Sequence, residues 1–382
     1  MSDDQTAGKS ANRNLGIAHI DVSEAEIARV VAVLRSGKLR QGSLCREFEE
    51  KFASAVGAEY AIAVSSGTAA LHLAWVALIE PGDEVLVPAF TFFATASSVL
   101  MAGGRPVFCD VELDGGSIDV ADARRRVGPR TTGIAPVHLY GGVCDVDGVK
   151  QLAKEHGLKI VWDAAQAHGA QFRGLDVGSL NDTACYSFYA TKTITTGEGG
   201  MITTNSEPLA ARLRLLRSHG ETSRYVHSQL GYNYRLTDIQ AAIGIGQLDQ
   251  LSENVRARRR NAGVLNNRLA QLPGLTLPFE REGSAHSYHQ YTIQVDPGLA
   301  GHSRDELAES LAALGIETAI HYPRPMHRQP IFADKGPTES LPVSEQLAER
   351  VLSLPIHPWL TSEDVQRIAS AVYRFIPARS TA

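Results

Sequence analysis

The chain has 382 residues, 43% hydrophobic and 21% charged, with a formal net charge of -5; one hydrophobic core rarely serves such a length, so two folding units are expected. The negative charge excludes a global basic field for nucleic acid, and no apolar run approaches a membrane span, so neither partner is expected. Cys45, Cys109, Cys144 and Cys185 lack CxxC spacing and the histidines lack an HExxH pattern, which argues against a disulfide framework, assigns no metal and suits a cytoplasmic protein.

In chain order, the first residues are polar without an apolar segment and read as a disordered arm, residues 1–15, rather than a signal peptide. From Ala58 short apolar runs alternate with helical patterns. "AEYAIAVSS" reads as a strand and "TAALHLAWVALI" as a helix with Leu71, Trp75 and Leu78 on one face. "DEVLVPA" is a strand, and "TFFATASSVLMAGG" a helix closed by glycines. "RPVFCDVE", "TGIAPVHLY", "LKIVWDA", "TACYSFYA" and "GGMITT" are further β-rich runs, with "VDGVKQLAKEHG" helical. Strands alternating with helices predict an α/β fold with a mostly parallel sheet over residues 16–255. A long helical stretch from "NYRLTDIQ" then leads into a smaller α+β domain, residues 256–382. There "HSYHQYTIQV" reads as a strand, and "SRDELAESLAALG" and "SEQLAERVLSL" as helices. The arginine runs 124–126 and 258–260 read as solvated helix faces.

Ligands of open α/β sheets bind at the carboxyl ends of strands, and the residues found there are unusual. "SSGTAAL" opens a helix after a strand, so the amides of Gly67 and Thr68 form an anion cradle or an ordinary N-cap turn. Its spacing is neither a Walker A loop nor GxGxxG, and a monophosphate suits it. Phe92 begins the next helix, where it is either core or a platform for a planar ring. Asp163 ends a strand, as an N-cap or as a carboxylate that keeps a pyridine nitrogen protonated. Ser187 precedes Lys192 by five residues on one strand-and-turn unit. Lys192 is either a lysine snorkelling to water or a desolvated, carbonyl-reactive amine. Together these residues meet the requirements of pyridoxal 5'-phosphate, with Lys192 carrying it as a Schiff base.

The stretches "GSLCREFEEKFA", "SSGTAALHLA", "DEVLVPAFTFFATA", "DAAQAHGA", "SFYATKTITTGEGGMITT", "LGYNYRLTDIQAAIG", "IHYPRPMHRQPIF" and "RVLSLPIHP" resemble the pyridoxal-phosphate-dependent nucleotide-sugar aminotransferases of the DegT/DnrJ/StrS type over nearly the whole chain. The resemblance implies a fold-type-I (aspartate-aminotransferase-like) enzyme, a homodimer with shared active sites. It implies Lys192 as the Schiff-base lysine, Asp163 as the pyridinium partner and Gln166 at the cofactor's phenolic oxygen. Gly67, Thr68 and Ser187 would hold phosphate, Phe92 would stack on the ring, and Asn233 would reach the phosphate in the neighbouring subunit. His321 and Tyr322 would approach the sugar. Trp162 stands where the family carries an acidic residue; strand alternation turns it away from the cofactor face.

The implied reaction is ping-pong transamination from L-glutamate to a keto-sugar nucleotide, through pyridoxamine 5'-phosphate. "KTITTGEGGMI" points to a 4-keto-6-deoxy sugar, whereas "IHYPRPMHRQP" also occurs in enzymes aminating C3. The dehydratase branch of the family has histidine where Lys192 stands. A non-catalytic, cofactor-loaded regulator is the remaining alternative.

Overall fold

The structure, a computed structural model, describes residues 13–333 and 339–376. Most of the expected N-terminal arm, residues 1–12, lies outside the described residues. The end of that arm is docked: Leu15 is 1% exposed, and its backbone exchanges hydrogen bonds with Gly315 and Glu317.

Seven strands build the large sheet: β1 (Tyr60–Val64), β2 (Glu84–Pro88), β3 (Arg105–Cys109), β4 (Thr131–Ile134), β5 (Lys159–Asp163), β6 (Thr183–Ser187) and β7 (Gly200–Thr204). Their order is β1-β7-β6-β5-β4-β2-β3. β7 runs antiparallel to both its neighbours, and every other pair is parallel. The exception has a local cause. β6 and β7 are joined by a loop that holds no helix, so the chain returns beside the strand it has just left rather than crossing over.

Helices cover both faces. α1 (Glu24–Ser36) and α2 (Ser43–Val56) precede the sheet, α3 (Gly67–Leu78) follows β1, and α4 (Phe93–Met101) follows β2. α3 is apolar almost all round and correspondingly buried. Period-two alternation divides the core between the faces. Ile160 and Trp162 of β5 pack with Phe48, Phe52 and Tyr186, while Val161 packs on the other side with Leu73, Trp75 and Ile202. Trp162 therefore points away from the face of Asp163, as its position in the strand predicts. It is fully buried and stacks on His138 at 5.4 Å.

A helix from Asp238 to Leu269 runs through the position 255/256. Leu248 belongs to the core of the large sheet, while Ala262, Leu265 and Leu269 belong to that of the C-terminal unit. This unit has an antiparallel sheet of Leu275–Thr276, Tyr291–Val295 and Val351–Leu354, with Tyr291–Val295 central.

Three local expectations change. "SEQLAERVLSL" is not one helix: the helix ends at Arg350, and Val351–Leu354 is a fully buried strand paired with Tyr291–Gln294. Pairing with a waiting central strand overrides the helical periodicity. The strand expected from His286 begins only at Tyr291, because Tyr288 adopts φ +50°. Arg258 is not solvated. It is 6% exposed, and its Nη1 donates to the carbonyls of Tyr288 and His289 at 3.1 Å each, so the helix uses it to clamp that turn.

Candidate active site

The loops after β1, β2, β5 and β6 converge on one cavity of about 520 Å³. Its wall contains Gly67, Thr68, Phe92, Asp163, Gln166, Ser187, Lys192, His321 and Tyr322. Asn233 is the one anticipated residue outside the wall; it is exposed, in backbone pairing with Ser218.

α3 begins against the cavity. Ser66 caps it, with Oγ accepting from the Ala69 amide at 3.1 Å, which leaves the Gly67 and Thr68 amides without intrahelical acceptors. Glycine is required at 67 by proximity: a Cβ there would lie 2.7 Å from the Ser187 Cβ. The helix N-terminus and the end of β6 are thereby pressed together into a polar cradle with a positive dipole end.

Asp163, the last residue of β5, is 4% exposed. Its carboxylate accepts from Thr95 Oγ1 at 2.7 Å and from the Ala165 amide at 3.1 Å. Burial raises its pKa, while those two hydrogen bonds and the Lys192 charge pull the other way. Thr95 carried no signal of this role, because its contact joins residues on separate elements.

Lys192 sits in the β6–β7 connection. The threonines beside it shape the loop: Thr195 Oγ1 donates to the Phe188 carbonyl at 3.1 Å, and Thr196 Oγ1 to that of Glu198 at 2.6 Å. Burial pushes the half-buried Lys192 ammonium down to about 8, opposed by Asp163. His168 lies outside the wall, 1% exposed against the Tyr186 and Phe188 rings.

Gln166 Oε1 accepts from the Tyr140 amide at 2.9 Å, and its Nε2 donates to the Tyr322 hydroxyl at 2.7 Å. Both tyrosines have left-handed backbones, φ 57° and 59°, and their rings stack at 6.2 Å. Non-glycine residues held there are uncommon and mark sites where the surroundings fix the chain. Phe92 is 57% exposed at the start of α4, an aromatic face left open. His289 and Gln290 were missed by the sequence reading. They enter the wall from the C-terminal unit, on the turn where a strand was expected.

Residues 21–373 match the model of the DegT/DnrJ/EryC1/StrS aminotransferase family, and the chain belongs to that family. It is 43% identical to the GDP-perosamine synthase of Caulobacter vibrioides, across 87% of this chain and 90% of that protein. It is 44% identical to the UDP-N-acetyl-3-dehydro-alpha-D-glucosamine 3-aminotransferase of Acidithiobacillus ferrooxidans, across 87% and 89%. Among solved structures, Streptomyces venezuelae DesV, captured with a ketimine intermediate, superposes with a TM-score of 0.89 at 38% identity, covering 92% of this chain and 94% of that one.

The architecture is thus fold type I, and the protein is an aminotransferase that uses pyridoxal 5'-phosphate. The wall fits this cofactor. The cradle beside Gly67 is closed to any Cβ, the buried Asp163 carboxylate stands across from the depressed Lys192 amine, and Phe92 offers an open ring face.

Proposed function

We propose that the protein transfers the amino group of L-glutamate to a nucleotide-linked 4-keto-6-deoxy sugar. The observation that carries the reading is the meeting of Lys192, Asp163 and the Gly67–Ser187 cradle on one cavity. The 4-keto assignment is supported by the "KTITTGEGGMI" loop and by the kinship to a GDP-perosamine synthase.

Pyridoxal phosphate supplies an electron sink for the substrate carbon that loses or gains a proton. Lys192 is the residue that tethers it and then, once released, moves that proton at Nζ. An amine with its pKa near 8 exists in both protonation states around neutrality, as a shuttle requires. Asp163, locked by Thr95 and the Ala165 amide, holds a proton on the cofactor's ring nitrogen. Gly67, Thr68 and Ser187 bind its phosphate, Gln166 orients its phenolic oxygen, and Phe92 covers one ring face.

His321 and Tyr322 close the cavity from the C-terminal unit, the side on which the sugar enters. Asn233, exposed and outside its own cavity wall, serves the phosphate of a second protomer in a homodimer.

The kinship to a 3-aminotransferase supports a second reading, in which the acceptor carbonyl is at C3. Purified enzyme with glutamate is expected to release 2-oxoglutarate and to lose the cofactor's visible absorbance. A panel of keto-sugar nucleotides then separates the readings. Amination of 4-keto-6-deoxy substrates supports the first, amination of 3-keto substrates alone transfers the assignment to the second, and turnover of neither overturns both.

A further inference from the structure

Three side chains that are carboxylates or amines line the cavity: Asp163, Lys192 and Glu198. The first two are assigned to the cofactor above. Glu198 is exposed on the same wall, in the loop that carries Lys192. Among the described residues, the hydrogen bonds that reach it go to its backbone carbonyl and none to its carboxylate.

That backbone is held from two sides. Thr196 Oγ1 and Gln240 Nε2 each donate to the Glu198 carbonyl at 2.6 Å. The Gln240 amide has one orientation, because its Oε1 accepts from the Thr237 backbone N–H at 3.0 Å. Gly197 turns the chain at φ +78°, a conformation that favours glycine. A Cβ on Gly200 would collide with the Ser66 carbonyl, so the turn is seated against the phosphate cradle. A main chain fixed this firmly presents an accessible, unpaired carboxylate beside the reacting centre.

The two substrates of a ping-pong transaminase use one cavity in turn, and a carboxylate treats them differently. It only accepts hydrogen bonds, and a sugar offers donors. L-glutamate brings two carboxylates of its own, which it repels. The diphosphate of a nucleotide sugar is set apart from the ring hydroxyls by the anomeric oxygen, and at a solvent-open wall its repulsion is screened. We infer that Glu198 binds the sugar ring of the acceptor, its carboxylate accepting from hydroxyl or acylamino N–H groups, and that the same charge opposes the amino donor. The inference rests on the keto-sugar reading above and adds to it the residue that separates the two substrates.

The test measures two values of kcat/KM on the holoenzyme: one for L-glutamate, and one for the keto-sugar nucleotide that wild type aminates best. Each reports its own half-reaction. Glu198→Gln keeps the size and removes the charge. It should lower the sugar value about tenfold, the cost of losing charge-assisted hydrogen bonds, and raise the glutamate value about threefold. Glu198→Asp keeps the charge on a shorter stem, so the sugar value should fall while the glutamate value does not rise. Retained cofactor absorbance in both variants shows that the cradle is intact. A sugar value that Glu198→Gln leaves unchanged overturns the inference. So does a glutamate value that falls with it, as when Glu198 holds the donor's ammonium or a cation of the second protomer. If wild type releases no 2-oxoglutarate from glutamate, or aminates no keto sugar, the reading of function falls; if both half-reactions run and neither responds to Glu198→Gln, only the role of Glu198 falls.

Discussion

Lys192 illustrates how a reactive group weakens the protein that carries it. Its folded pKa of about 8 lies below the ordinary lysine value of 10.5, so the folded chain binds fewer protons than the unfolded chain between those pH values. Stability therefore rises with pH across that window, and the full penalty applies below pH 8. Cofactor-free Lys192→Met should be more stable than cofactor-free wild type at pH 7, by on the order of 2 kcal/mol. The gap should close as the pH passes from 8 to above 10. Denaturant unfolding at several pH values measures this directly, and equal stabilities at pH 7 would contradict the buried-amine account. Asp163→Asn probes the opposite charge. The amide still fits beside Thr95 but cannot hold a ring proton, so cofactor should bind while turnover falls by roughly 10² or more. Near-normal turnover would remove Asp163 from that role. These two residues were legible in the sequence because Asp163 directly follows a buried apolar run and Lys192 comes four residues after the end of another, at Phe188. Thr95 and Gln290 were not, since their importance lies only in what the fold sets against them.

At the scale of elements, the junction of α3 with β6 is a sterically restricted part of the site. Gly67→Ala would set a methyl 2.7 Å from the Ser187 Cβ and 3.2 Å from its Cα, so helix and strand must separate. A cost of about 1–3 kcal/mol in stability is expected, together with at least tenfold weaker cofactor binding, since the cradle opens. Thermal unfolding and cofactor titration report the two effects. Adding Ser187→Gly to Gly67→Ala should recover stability but not binding, and recovery of neither would show that steric overlap is not the cause. The strands and helices of the large sheet follow the sequence pattern closely, because two covered faces impose continuous apolar runs of characteristic length. The C-terminal unit was harder to read. Val351–Leu354 takes its structure from pairing with Tyr291–Gln294, and the Tyr288 turn depends on Arg258 from a helix elsewhere in the chain. No local window contains either cause.

At the scale of the whole molecule, the proposed sharing of sites is open to a genetic test. Asn233→Asp sets a carboxylate against the partner's cofactor phosphate, and Lys192→Ala removes the amine of its own site, so each variant alone should be inactive. Mixed randomly, half the dimers combine the two, and one of their two sites escapes both changes. About a quarter of wild-type activity should return, by the symmetry of an isologous dimer. If demonstrably mixed dimers stay inactive, Asn233 serves its own chain.

The docking of Leu15 has a consequence for biosynthesis. Ile17 donates its amide to Glu317 Oε2 at 3.0 Å across 300 residues, and Leu15 belongs to the core of the C-terminal unit. Leu15 thus finds its place only after the 300 or so residues that separate it from its partners have been synthesised. At typical ribosomal speeds of 5–20 residues per second that interval is roughly 15–60 seconds. Throughout it the large sheet can assemble, while the C-terminal unit, made later, closes over a segment that left the ribosome well before it.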